Sequence, residues 1–282
     1  MTILFLALAA FQPPPLSSEA PLPPPSPPRR APAAPSRPQP GGTRMAECVA
    51  LVRSAPHQAV EAANAWLDAR GGAPARECLG LAFVALEDWP AAGTAYESAA
   101  HEAEAAGDVR RADFWVQAGN AWLAAGQPLR ALQDFDAALA VPGLADPKRA
   151  EAELDRARAQ VALGHADIAR QDVDQALRLA PTDGFAWYLS AALARRANDL
   201  TRAQADIARA LALAPNDPDT ILLAGTIAGL AGHMDEAERL YRRLVAAAPD
   251  SDAGREAAAS LATMREVEAP ASTPAAPTPA PH

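Results

Sequence analysis

Four prolines, Pro147, Pro181, Pro215 and Pro249, stand 34 residues apart. Ala169, Ala203 and Ala237 keep the same interval, as do Ala176 with Ala210 and Leu177 with Leu211. A fixed period of this length restricts a chain to stacked copies of one small unit. Composition says which kind of unit. Hydrophobic residues make up 50% of the 282-residue chain, but aromatics only 5%. Much of the apolar content is alanine, which favours helices, while the residues that favour strands are scarce. A β-sandwich or a doubly wound α/β fold is therefore excluded, and an all-α fold is expected.

With Pro181 as position 32, units begin at 150, 184 and 218. Upstream, Trp115, Gly119, Trp122, Gly126, Ala131, Phe135 and Ala138 fill positions 4, 8, 11, 15, 20, 24 and 27 of a unit beginning at 112. Leu79, Gly80, Phe83, Ala92, Tyr96 and Ala99 fit one beginning at 73, so two junctions carry insertions of five and four residues. Residues 45–70 read as a shorter, degenerate first hairpin. Each unit reads as two helices of about 12–14 residues, near the usual three to four turns. Gly126, Gly164, Gly232 and Asn198 fall at the turn, where a left-handed residue ends the first helix. Pro181, Pro215 and Pro249 end the second helix, because proline lacks the backbone donor. Gly119, Ala131, Ala138, Ala203 and Ala210 let helices approach, and Trp115, Trp122 and Phe135 fill the space beside them. One hairpin cannot bury its apolar face alone, so neighbours stack. Ala257, Leu261 and Met264 give residues 252–266 the stripe of a capping helix.

Taken together, these residues resemble the tetratricopeptide repeat (TPR) family over roughly residues 45–251. The resemblance implies a right-handed α-solenoid of about five to six hairpins with a C-terminal capping helix. Two positions depart from the family pattern: Glu153 stands where tryptophan is common, and Ser190 where leucine is expected. The resemblance also implies that the first helix of each hairpin lines a concave face that meets a peptide. The implied positions include Glu77, Leu81, Asp113, Asn120, Leu154, Phe185, Tyr188, Arg195, Arg196, Leu222 and Thr226. A carboxylate clamp of the kind found in the family is not supported, because Glu77, Leu81 and Val116 do not fit it; only Asn120 does. Asn120, Phe185, Tyr188, Arg195 and Arg196 are thus the expected partner-binding residues. Aromatics and arginine dominate binding hot spots, and arginine complements an acidic peptide.

No reaction chemistry is legible. There is no phosphate-loop, dinucleotide or paired-histidine metal motif. Gly225, Gly229 and Gly232 are assigned to helix packing and a turn. His165 and His233 occupy equivalent turn positions without a third ligand. Asp172 with Asp174, and Asp134 with Asp136, are expected on solvated helix surfaces. No cofactor, metal or enzymatic activity is expected. The net charge of -9 argues against a nucleic-acid partner.

The apolar run Ile3–Phe11 is too short to span a bilayer, which takes about 20 residues. It fits a signal-peptide core, with Ala7-Leu8-Ala9 supplying a small-residue cleavage site, although no Lys or Arg precedes it. The expected division is a signal peptide over 1–11, a Pro-rich disordered linker over 12–43, a solenoid over 44–266 and a disordered tail over 267–282. Cys48 and Cys78 are the only cysteines and fall on the first helices of consecutive hairpins. In an oxidising compartment they are expected to form a disulfide. The functional expectation is a scaffold that binds a protein or peptide, exported to a bacterial periplasm. The alternatives are a structural envelope spacer, a cytoplasmic location and, last, a groove-based enzyme or small-ligand binder.

Overall fold

The computed structural model describes residues 40–268, with side chains described for 43–265. The expected leader, the linker as far as residue 39 and the tail from residue 269 lie outside the described residues. Within them the chain forms thirteen α-helices and no strand. Twelve make six hairpins: α1 (Pro40–Ser54) with α2 (Pro56–Asp68), α3 (Gly72–Ala85) with α4 (Trp89–Ala106), α5 (Arg111–Ala124) with α6 (Pro128–Leu139), α7 (Asp146–Ala162) with α8 (Ala166–Leu179), α9 (Gly184–Arg196) with α10 (Leu200–Leu213), and α11 (Pro218–Leu230) with α12 (Met234–Ala247). The last, α13 (Asp252–Glu268), packs on α11 and α12. Each helix packs on the next in sequence, and first helices also meet across hairpins, α5 with α7, α9 with α11 and α11 with α13. That contact pattern is a solenoid.

The turns inside five hairpins are copies of one structure. Glu87, Gly126, Gly164, Asn198 and Gly232 all have φ between 58° and 83°. In each, the next residue's N–H reaches back five residues: Asp88 to the Phe83 carbonyl, Gln127 to Trp122, His165 to Gln160, Asp199 to Ala194 and His233 to Ala228. This double closure satisfies the last carbonyls of the first helix. Glu87 occupies a left-handed position with a side chain that disfavours it, which is why the sequence hides this turn. In three of the five the second helix then starts from an aspartate cap or a proline, while α8 and α12 start from His165 and His233, whose side chains make no cap bond. Asp88 and Asp199 cap α4 and α10 by accepting from Ala91 N and Arg202 N, and Pro90 and Pro128 occupy the first turns of α4 and α6. Pro181, Pro215 and Pro249 each follow the C-cap of a second helix. Pro147 behaves differently and opens α7.

The two insertions are absorbed locally. The five-residue one lengthens α4 to 18 residues, and the four-residue one makes the Ala140–Ala145 connection and extends α7 to 17. Trp115, Trp122 and Phe135 are buried as a stripe in the core between α4 and α7. Two expectations are corrected. Asp134 and Asp172 are not on solvated surfaces but are 4% and 5% exposed, because their helix face packs on the first helix of its own hairpin. Leu154 is likewise buried in α7 rather than presented to a partner.

Candidate partner-binding surface

Helical geometry puts Phe185, Tyr188, Ala192, Arg195 and Arg196 on one stripe of α9, since residues three, four, seven and eleven apart share a face. Asp183 fixes the start of that stripe. Its carboxylate accepts from the backbone N–H of Phe185 at 2.8 Å and of Ala186 at 3.3 Å. The rings of Phe185 and Tyr188 then stack, 6.0 Å between centroids and 16° between planes. Phe185 is 37% exposed and is among the large apolar side chains that remain in water. Tyr188 is half-buried, and its phenol is pushed up to about 12, first by desolvation and then by the carboxylates of Asp219 and Asp217, against the opposing charge of Arg195. The guanidinium groups of Arg195 and Arg196 make no ion pair or hydrogen bond among the described residues; Arg195 Nε is buried without a partner.

The other expected positions are occupied within the fold. Asn120 donates to Asp155 Oδ2 at 2.8 Å and accepts from Arg158 at 3.3 Å, closing a triangle between α5 and α7. It is not brought to the α9 cluster. Glu77 pairs with Arg110, and Asp113 with Lys148. Thr226 donates to the Leu222 carbonyl and accepts from the Tyr241 hydroxyl. A separate open groove of about 490 Å³ lies between α3 and α4 over Leu79, Phe83, Pro90 and Ala95. Its charged groups are engaged elsewhere, Arg76 with Glu102 and Asp88 as the α4 cap. Among the described residues no group of three or more His, Cys, Asp or Glu could hold a metal ion, and no helix is long and apolar enough to cross a membrane.

No protein-family model and no curated protein matches the chain. Solved structures do. PilF of Pseudomonas aeruginosa superposes with a TM-score of 0.63 at 17% identity, covering 78% of this chain and 97% of PilF. PilW, described as a widely conserved type IV pilus biogenesis factor, gives 0.63 at 19% identity, over 78% of this chain and 99% of PilW. A thermophilic TPR protein of Thermus thermophilus gives 0.55 at 21% identity, over 68% of this chain and all of that one. The fold is a tetratricopeptide-repeat solenoid.

Seen as TPR units, the two departures acquire a structural reason. Positions 7 and 23 face each other within a hairpin. They are Leu79 and Ala95 in one unit and Ala224 and Leu240 in another, but Arg156 and Asp172, then Ser190 and Asp206, in the middle units. Arg156 binds Asp172 through two bonds of 3.1 and 2.7 Å and also reaches Glu153 at 2.7 Å and Asp136 at 3.0 Å. Ser190 donates to Asp206 Oδ2 at 2.5 Å and accepts from Arg170 at 2.7 Å. Arg202 links Asp206 to Asp174. Glu153 and Ser190 thus belong to a polar seam running through the fourth and fifth hairpins. Asp134 holds position 23 one unit earlier, opposite Ala118, which offers no donor, and its Oδ2 is buried without a hydrogen bond. Burial first, then the nearby Glu97 carboxylate, pushes Asp134 up to about 7, with Arg130 opposing. Finally, a disulfide joins Cys48 on α1 to Cys78 on α3, with Cα atoms 5.9 Å apart.

Proposed function

We propose that this TPR solenoid is a non-enzymatic interaction scaffold that holds a peptide or protein segment on the α9 face and works in the bacterial cell envelope. The observation that carries the binding reading is the stacked Phe185–Tyr188 pair, partly in water, in line with two unpaired arginines. Rigid aromatics beside arginine are the groups that supply most of the free energy in known interfaces. The other residues mapped to this face are largely engaged inside the fold, which leaves α9 as the open one. The envelope reading is supported by the leader-like Ile3–Phe11 run, by a disulfide that needs an oxidising compartment, and by the likeness to a type IV pilus biogenesis factor. An N-terminal signal peptide, a Pro-rich linker and a Pro/Ala-rich tail complete the proposed organisation.

Photo-crosslinking in cells tests the surface. A benzoylphenylalanine at position 188 is expected to give one discrete adduct, and one at the exposed Arg239 of α12 none. Equal yields from both positions would refute the α9 assignment. Intact mass of the chain from its native host, non-reduced and alkylated, tests the location. Loss of the leader with no alkylation before reduction is expected; a retained leader with two free thiols would return the protein to the cytoplasm.

A further inference from the structure

We propose that the segment held on α9 is an extended, cationic peptide, not an acidic one; this rests on the interaction-scaffold reading above. The two arginines on the stripe invite the opposite conclusion, so the balance of charge around the ring pair decides. Asp217, the N-cap of α11, Asp219 on its first turn and Glu256 of α13 lie close enough to Tyr188 for their charges to be felt at its hydroxyl, against the opposing charge of Arg195. None of these three carboxylates forms an ion pair among the described residues. Asp217 is taken up as the cap of α11, accepting from Thr220 N at 2.9 Å, but a capped carboxylate keeps its charge. Asp219 has no such role and stands exposed, its carboxyl held above the ordinary range by desolvation and by the like charges of Asp217 and Asp252. Two carboxylates that repel each other beside an open aromatic surface are relieved by a cation, and an incoming carboxylate would make the repulsion worse. The whole chain, at -9, steers the same sign of ligand.

The rings fit the backbone that such a peptide would have. Their centroids are 6.0 Å apart, which two residues of a polyproline-type strand span at about 3.1 Å each. Apolar or proline side chains two residues apart would lie on Phe185 and Tyr188, a flanking arginine or lysine would meet Asp219 and Glu256, and Arg195 would donate to the carbonyls that an extended strand leaves unpaired.

Three short alanine–proline peptides, identical except for carrying arginine, glutamate or glutamine, provide the probe. Fluorescence anisotropy against the intact chain is expected to show saturable binding of the arginine peptide only. Asp219→Asn combined with Glu256→Gln should weaken it about fivefold, as expected for two exposed ion pairs. Tyr188→Ala should weaken it about tenfold, with Phe185→Ala as the substitute if that variant melts early. Two results overturn the proposal and leave the scaffold reading intact or not, distinguishably. Tighter binding of the glutamate peptide, lost in Tyr188→Ala, would keep α9 as the site and reverse the charge of its partner. Arginine-peptide binding indifferent to both ring variants, or no binding by any of the three, would remove the site itself.

Discussion

Gly119 and Phe135 show how closely the repeats are fitted at single residues. A Cβ on Gly119 would stand 2.6 Å from the Phe135 ring, one on Gly80 2.7 Å from the Tyr96 ring and one on Gly225 2.5 Å from the Tyr241 ring. All three pairs are positions 8 and 24 of their units. In the other two units the pair is Ala157 with Val173 and Ala191 with Ile207, so a smaller partner accompanies a larger position 8. Gly119→Ala is therefore expected to destabilise the protein by about 1–3 kcal/mol of overpacking, although alanine is the better helix former by about 1 kcal/mol. Adding Phe135→Ile should recover part of the loss, and a double-mutant cycle by urea unfolding checks the coupling; additive effects would contradict the pairing. Asp134 is, with Asp172 and Leu154, a residue that sequence reasoning placed wrongly. A polar residue between apolar ones reads as solvent-facing, and nothing in its own helix reveals that α5, the first helix of its hairpin, covers it. Its folded-state value of about 7 lies above the ordinary 3.8, so the native state binds the extra proton between them. That contribution is complete below pH 4 and is lost as pH rises through 7. Thermal melting should show this loss between pH 5 and pH 8, and Asp134→Asn should remove it and melt higher at pH 8. A pH-independent difference between the two proteins would contradict the assignment.

At the scale of elements, the period of 34 was enough to place the hairpins, because prolines and left-handed turns punctuate the chain at fixed phase. What it could not place were lengths. Whether an inserted residue extends α4 or makes the loop before α7 depends on packing against the neighbouring hairpin, not on the inserted sequence. The first hairpin is the least determined of the six. The Ala55 N-cap of α2 makes no side-chain bond, and the hairpin packs through a small cluster of Ala63, Trp66, Ala75, Cys48 and Cys78. Its staple closes a loop with a sequence separation of 30, worth about 3–4 kcal/mol on the chain-entropy model. In a solenoid each hairpin answers mainly to its neighbour. Replacing both cysteines with alanine should therefore raise amide exchange in α1 and α2 while leaving α9 to α12 as protected as before. A uniform rise along the chain would show a staple that supports the whole array.

At the scale of the whole molecule, the question is how six hairpins hold one arrangement when each is built largely from alanine. Apolar packing is nearly interchangeable between repeats, so it stabilises stacking without fixing which hairpin follows which. The polar seam is not interchangeable. Arg156 ties α7 to Asp136 on α6 and to Asp172 on α8, and Arg202 on α10 reaches Asp174 on α8. The surface proposed on α9 sits directly on this seam, since Arg170 of α8 holds Ser190 through its hydroxyl and its carbonyl. Here the sequence displayed the relevant residues as misfits, Glu153 and Ser190, without showing that they answered one another; the pairing is a contact between helices, and a single sequence carries no record of contacts. If the seam acts through registry, removing one member and removing the pair should differ. Arg156→Ala leaves Asp172 and Glu153 buried without their cation and is expected to cost about 3–5 kcal/mol. Arg156→Leu with Asp172→Ala installs the leucine–alanine pair that two other units already use, and with Glu153→Gln added, so that no buried carboxylate is left without its cation, stability to urea should return to near that of the parent. The two variants should also separate at the surface. The apolar-pair protein is expected to keep its stability but to lose the sharp arrangement of α7 against α8, read as line broadening of the α9 methyl and amide resonances. Sharp resonances together with parental stability would mean that the seam is dispensable, and that alanine and aromatic packing alone sets the order of the hairpins.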